Sequence, residues 1–295
     1  MVMNESAKRG GVRLFEHLPD AVPLNDVTVV GTHDSGTCYV PARFIARCQN
    51  RPVAGQLALG VRLLDMRLVK GDDYFFAHGI CTCRAAASPF AGKLTFPAVL
   101  KDLRDFLAEN SRETVLMLLS EERASEGFFD GFYETYLRPN GDLFYTRPEM
   151  PTLGEARGKI VLCRRCRRDA VPDDKAGLDF TGFPAMGSKQ GPAVLPFTVG
   201  DVPAFLEDRY MLMPRAKWRD AVLPALQASD DAGGSLRITE TGTAGTLHPY
   251  GAARYVNRQF RRYLADGGRC RGWFLTDFPD ETLVRAIAAR NETLL

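Results

Sequence analysis

Two short runs place proton-carrying side chains at the ends of apolar segments. The first is Val27-Thr-Val-Val-Gly-Thr-His-Asp-Ser-Gly-Thr37, a nearly unbroken β-branched run that stops at Gly31 and is followed at once by Thr32, His33, Asp34 and Ser35. The second is Gly60-Val-Arg-Leu-Leu-Asp-Met-Arg-Leu-Val69, followed by Tyr74-Phe-Phe-Ala-His-Gly79, where His78 closes an apolar stretch as His33 does. Such a run reads as a strand buried on both faces. A strand that delivers an imidazole and a carboxylate at its C-terminal end is a common way to build a site on a parallel barrel. Taken alone, the first run fits equally well a strand ending in an Asp-Ser-Gly turn capped by a histidine. The second run tips the balance. Side chains alternate along a strand, so Leu63, Asp65 and Arg67 share one face, and two charges there are costly unless they pair or face a polar cavity. Two histidines, an arginine and two carboxylates form a kit for general acid–base work on a phosphate ester.

The elements that must position these groups alternate along the chain. Strands are expected at 27–30, 61–69 and 74–78, then at Thr114–Leu119, Lys159–Cys163, Leu236–Thr239 and Trp273–Thr276, the last delivering Asp277. Helical spacing marks one or two short helices within 41–59, then Phe96–Asn110 with Thr95 as N-cap and Pro97 in its first turn, Phe128–Leu137, Arg215–Ala228 interrupted at Pro224, Pro249–Leu264 and Asp280–Asn291. Residues 167–200 read as long loops, and Pro203–Tyr210 as the lead into a helix. His17 lies in a loop away from any polar cluster and reads as structural. Alternating strands and helices, with polar strand ends, predict an α/β fold: a single (β/α)8 TIM-type barrel, irregular because the 74–78 strand follows its predecessor too closely for a helix between them. Residues 1–11 read as a flexible N-terminus and 12–295 as one catalytic domain.

Composition narrows the class further. A chain of 295 residues, 45% apolar, can bury one large core. With 38 basic and 36 acidic residues the charge is too balanced for a nucleic-acid partner; the densest positive run, Arg164, Arg165, Arg167 and Arg168, could hold an anionic head group. Seven cysteines do not describe a disulfide framework, and neither Cys163-x-x-Cys166 nor Cys81-x-Cys83 makes a zinc knuckle, so buried reduced thiols are expected. The N-terminus lacks the apolar core of a secretory signal, and no stretch approaches the ~20 apolar residues of a membrane span. A cytoplasmic protein, or one exported without a cleavable signal, is the expectation, visiting membranes from the outside if its substrate is a lipid.

The motifs GTHDSGT, GVRLLDMR and AHG, with Thr152-Leu-Gly-Glu-Ala-Arg-Gly-Lys-Ile-Val-Leu162, Glu207-Asp-Arg-Tyr210 and Gly272-Trp-Phe-Leu-Thr-Asp-Phe278, resemble in register the X-domain of phosphatidylinositol-specific phospholipase C, most closely the small bacterial, metal-independent enzymes. The resemblance spans nearly the whole chain and implies the same distorted barrel. It further implies cleavage of phosphatidylinositol to diacylglycerol and a cyclic inositol phosphate, with His33 as base and His78 as acid. Asp277 would support the base and Asp34 the acid, Arg67 would grip the phosphate, and Asp65 would position its neighbours. Arg165, Asp208 and Tyr210 match residues that bind the inositol ring. No cofactor is implied; Asp34 with Glu121 or Glu122 could sketch part of a calcium site, but the always-charged Arg67 argues against one. The implied partner is a phosphatidylinositol-containing membrane, met peripherally and transiently by a monomer.

Two departures stand out. Ser120, followed by Glu121 and Glu122, occupies the place of a family lysine near the end of the fourth strand, and no tryptophan matches the exposed ones of bacterial relatives, Trp218 and Trp273 lying in helix and strand contexts. Two alternatives stay open: a metal-independent phosphodiesterase acting on another phosphodiester, and an idle barrel that binds head groups.

Overall fold

Strand β1 (Val29–Thr32) is buried from end to end, and the strands beside it share its alternation. A computed structural model describes residues 12–184, 186–187, 190–228 and 233–295; the N-terminal lead-in expected over 1–11 lies outside them. The other strands are β2 (Leu63–Val69), β3 (Phe75–His78), β4 (Cys81–Thr82), β5 (Val115–Glu121), β6 (Phe144–Tyr145), β7 (Ile160–Arg164), β8 (Leu178–Asp179), β9 (Leu195–Val199), β10 (Val202–Glu207), β11 (Leu236–Glu240) and β12 (Trp273–Thr276). Pairing in the order β7-β5-β2-β1-β12-β11-β10 is parallel throughout. The eighth place in the wall is shared: β6 pairs with the first half of β7 and β8 with the second. Beyond β10, among the described residues, the sheet continues only through the antiparallel β9. The result is the expected irregular (β/α)8-type barrel.

One side-chain parity builds both the core and the site. Val29, Leu63, Leu116, Leu118, Val161, Cys163, Leu206, Ile238, Trp273 and Leu275 point inward and form the barrel filling. Their alternates, among them Val30, Leu64, Met66, Met117, Leu119, Leu162 and Phe274, pack outward against the helices Val53–Leu59, Phe96–Glu109, Pro249–Ala265 and Glu281–Ala288. The floor is plugged by the segment that carries Leu14 and Phe15, whose amides donate to Glu113. Glu113 also accepts a hydrogen bond from Nε of buried Arg62 at 2.6 Å, so the ion pair's lone pairs and donors are largely satisfied. Across the mouth of the gap, among the described residues, no backbone pairing joins β8 to β9. Phe180 and Phe183 bridge it instead, with ring centroids 6.2 and 5.8 Å from that of Phe197.

Several expectations are corrected. Residues 167–200 are not all loop, since β8 and β9 lie within them, and 202–207 is a barrel strand rather than an approach to a helix. Pro203 sits one residue into β10, next to the β9–β10 turn, where a missing donor is tolerated. Pro224 does not break its helix: a wide turn over Lys217–Val222 precedes Leu223–Gln227, placing the proline in a first turn. The Thr95 hydroxyl makes no cap hydrogen bond, although Pro97 stands in the first turn as expected. His17 is exposed beside Glu16. All seven cysteines are free and six are buried. No helix among the described residues is long and apolar enough to cross a membrane.

Candidate active site

Carried one or two residues past the apolar filling, the inward parity reaches the C-terminal rim, and there it delivers polar groups. His33 follows β1, Asp65 and Arg67 end the inward face of β2, Ser120 lies opposite Arg67 in β5, and Arg165 follows β7. Asp208 follows β10, Glu240 ends β11, and Asp277 follows β12. His78 enters from the end of β3. His33, Arg67, His78, Arg165, Asp208, Tyr210, Glu240 and Asp277 thus line one cavity of about 380 Å³.

Each imidazole is held by its Nδ1. His33 Nδ1 is 2.9 Å from Oδ1 of the nearly buried Asp277. Gly242 makes room for that carboxylate, because a Cβ there would stand 2.7 Å from Asp277 Oδ2. The amide of Gln49 clamps the carbonyls of His33 and Thr276 at 2.7 and 2.9 Å, fixing the ends of β1 and β12 together. On the other side, His78 Nδ1 donates to the Ala46 carbonyl at 2.8 Å. Asp34 Oδ2 lies 3.1 Å from the same nitrogen but makes no aligned hydrogen bond; the carbonyl takes the proton and the carboxylate acts through its charge. The two rings are nearly perpendicular, with centroids 6.3 Å apart. Asp34 and Phe278, each next to one of these anchors, are the non-glycine residues with positive φ among those described, at 46° and 45°, a cost accepted where backbone direction serves the site.

Arg67 donates its Nε to Asp65 Oδ2 at 2.9 Å, and the same oxygen accepts the Asp34 amide at 3.0 Å. Burial opposes the charge on both members, but each partner outweighs it: Asp65 is held below its usual range and Arg67 well above its own. The Nη groups are left for the cavity. Burial likewise works against a charged His33, yet Asp277 holds its pKa well above 6.5. Asp34, buried with one orphaned oxygen, is pushed up from 3.8 to about 6 by burial.

Of the residues singled out for the head group, Arg165 stacks its guanidinium 4.0 Å from the centroid of Phe183, and Tyr210 is partly exposed at the rim. Asp208 is pushed well above its usual pKa, first by burial and then by the adjoining Glu240 carboxylate, so the two acids favour holding a proton between them. Glu240 was not singled out from the sequence, nor was Cys48, which lines the cavity beside His33. Glu240 shares the parity of Leu236 and Ile238, and extending that strand by one residue would have found it. Ser120 is buried, its Oγ without a partner. Glu121 accepts from the Ser125 hydroxyl and Glu122 from the Gly79 amide.

The family model described as PI-PLC X 1 matches residues 23–143. A 1-phosphatidylinositol phosphodiesterase from Listeria monocytogenes is 26% identical over 93% of this chain and 83% of its own length. A phosphatidylinositol-specific phospholipase C structure from Staphylococcus aureus superposes with a TM-score of 0.76 at 22% identity, covering 93% of this chain and 96% of that one. Another from the same organism, solved in work on modulation of its membrane binding, gives 0.75 at 21% identity over 92% and 95%. The order of strands, the cavity at their C-terminal ends and these matches agree: residues 23–143 match the PI-PLC X 1 model, and the chain as a whole is similar in sequence and fold to bacterial phosphatidylinositol-specific phospholipases C.

Proposed function

We propose that the protein cleaves phosphatidylinositol to diacylglycerol and a cyclic inositol phosphate at a membrane surface, as a monomer and without a metal ion. The observation that carries this reading is the pair of imidazoles held at Nδ1 by different acceptors, with both rings and Arg67 facing one cavity. With its Nδ1 proton donated to Asp277, neutral His33 offers a free Nε2 to the inositol 2-hydroxyl. As that oxygen attacks phosphorus, its proton passes to Nε2. The bond from phosphorus to the glycerol oxygen breaks, and His78, protonated on Nε2, gives its proton to that leaving oxygen. Asp34 stands beside the His78 ring, 3.1 Å from its Nδ1. The Nη groups of Arg67 supply a fixed fork of donors for the non-bridging oxygens, which is the task a divalent ion would otherwise perform. Arg165, Asp208 with Glu240, and Tyr210 face the ring; a carboxyl pair sharing one proton presents both a donor and an acceptor to sugar hydroxyls.

The surface beside the mouth suits a bilayer. Phe44, Ile45 and Leu247 are 75, 59 and 77% exposed, and Arg43 and Arg47 stand among them. Ile45 also lines the catalytic cavity, so apolar contact with lipid would bring the mouth to the head groups. The deciding experiment is turnover on vesicles of phosphatidylinositol and of phosphatidylcholine with the water-soluble product identified. Cyclic inositol phosphate from the first and no reaction with the second are expected. Equal cleavage of both would remove the inositol pocket from the account.

A further inference from the structure

Cys48 has no part in the acid–base scheme, yet its sulfur stands between the two histidines. Its Sγ, a ring nitrogen of His78 and a carboxylate oxygen of Asp34 lie within 4.8 Å of one another. On its other side, the same sulfur lies within that distance of a His33 nitrogen and an Asp277 oxygen. Asp34 Oδ2 is buried and without a hydrogen-bond donor, which is an unfavourable state for a carboxylate oxygen and one that a cation would relieve. The Ala46 carbonyl leans on both neighbours, 2.8 Å from His78 Nδ1 and 3.8 Å from the Cys48 sulfur. Access comes through the catalytic cavity, which Cys48 and His78 both line.

One thiol, one imidazole and one carboxylate make a mixed S, N, O donor set. Calcium and magnesium take oxygen ligands, whereas zinc accepts all three, with donors about 3.3–3.8 Å apart around a tetrahedral ion. Rotations of about 1 Å would draw the present atoms to that spacing. We propose that Asp34, Cys48 and His78 form an inhibitory site for Zn²⁺ or a metal ion of similar borderline softness, its fourth position open to the cavity. Arg67 disfavours a hard cation held by carboxylates alone, but a thiolate and Asp34 together bring two negative charges to the ion. Binding exchanges two protons for the metal, that of the thiol and that of the His78 nitrogen which becomes the ligand, both leaving to water. It also occupies the imidazole that would protonate the leaving group, so the enzyme stops turning over while its fold stays intact.

The test begins without substrate, so its outcome is independent of which lipid is cleaved. Metal-free protein is titrated with Zn²⁺ by calorimetry and with Co²⁺ by absorption spectroscopy. One high-affinity zinc and a thiolate-to-cobalt charge-transfer band are expected in the wild type. In Cys48→Ser the band should vanish and zinc affinity fall by about 100-fold or more. Cys81→Ser, which alters the half-exposed thiol paired across from His78, should keep both. In turnover assays the ratio of rates with and without zinc is compared within each variant, and inhibition should disappear only in Cys48→Ser. Absence of the charge-transfer band in the wild type, or unchanged zinc binding in a folded Cys48→Ser protein, overturns the proposal.

Discussion

Asp34→Asn should stabilise the protein and disable it at the same time. Ionising this buried carboxyl when its pKa is about 6 rather than 3.8 costs the folded state about 3 kcal/mol at neutral pH and above. The sign follows from proton binding: the folded state holds the Asp34 proton to higher pH than the unfolded chain does. Its contribution is therefore neutral below the unfolded value, and stability is lost as pH rises through about 6. Asparagine keeps the shape, tolerates the positive φ of 46° at this position, and carries no charge. Its amide protons gain no assured acceptor, which returns part of the benefit at ~1 kcal/mol. A net gain of about 1–2 kcal/mol at pH 8 is expected, giving way to a small net loss near pH 4, where little more than the ~1 kcal/mol cost of the amide remains. In a chain of this size that is a rise of a few degrees in Tm. Over the same range kcat should fall by about 10²–10³-fold, because the His78 imidazolium loses its adjacent charge. Urea unfolding of both proteins at pH 4, 6 and 8, beside initial rates on phosphatidylinositol vesicles, measures both effects. A variant no more stable than wild type at pH 8, or a stability difference that does not vary with pH, would refute the burial argument. Full activity would remove Asp34 from the mechanism.

Three further outcomes are expected. Because Asp277 holds the His33 pKa well above 6.5 and the base must be neutral, the rising limb of kcat/KM should lie above that pH in the wild type. In Asp277→Asn it should move to lower pH while kcat falls by about 10³–10⁴-fold; a limb that stays put contradicts the pairing. Wild-type activity should not fall in a chelator, and both Arg67→Ala and Arg67→Lys should lose at least about 10²-fold in kcat, since a point charge does not reproduce the fork. Restoration of chelated wild type by calcium would contradict that assignment. Replacing Phe44 and Ile45 together by serine should lower the rate on vesicles by about 10-fold or more and leave the rate on a soluble, short-chain substrate nearly unchanged; equal losses on both would place these residues in the chemistry instead.

The two histidines were legible because a polar residue ending an apolar strand is a local signal, and Asp65 with Arg67 because alternation within one strand is local too. The roles of Asp34 and Asp277, and the choice of Arg165, Asp208 and Tyr210, came from resemblance, and the inward parity now gives Asp277, Arg165 and Asp208 a geometric reason. Glu240 obeyed the same parity but stood one residue beyond the strand as first bounded. Strand β10 was hidden because Pro203–Tyr210 reads as the lead into the helix that follows, although Ala204, Leu206 and Asp208 carry the period of two. Cys48 had no local signature at all. Nothing near it in sequence distinguishes it from the other thiols, and only the tertiary turn before the Val53–Leu59 helix brings its sulfur to the imidazoles.

The aromatic bridge across the wall has a consequence for how tightly a head group can be gripped. Arg165 and Asp208 stand on opposite lips of the gap, the one stacked on Phe183 and the other receiving its place from β10, against which Phe197 of β9 is paired. Elsewhere the circumference is set by backbone hydrogen bonds of nearly fixed length; here it is set by ring-on-ring contacts that can slide. The spacing between the arginine and the carboxyl is therefore adjustable by residues that touch no ligand. Exchanging Phe183 or Phe197 for leucine or tryptophan would act as a set-screw on aperture, offering a route to altered tolerance for bulkier or phosphorylated polyols with the acid–base machinery left as it is.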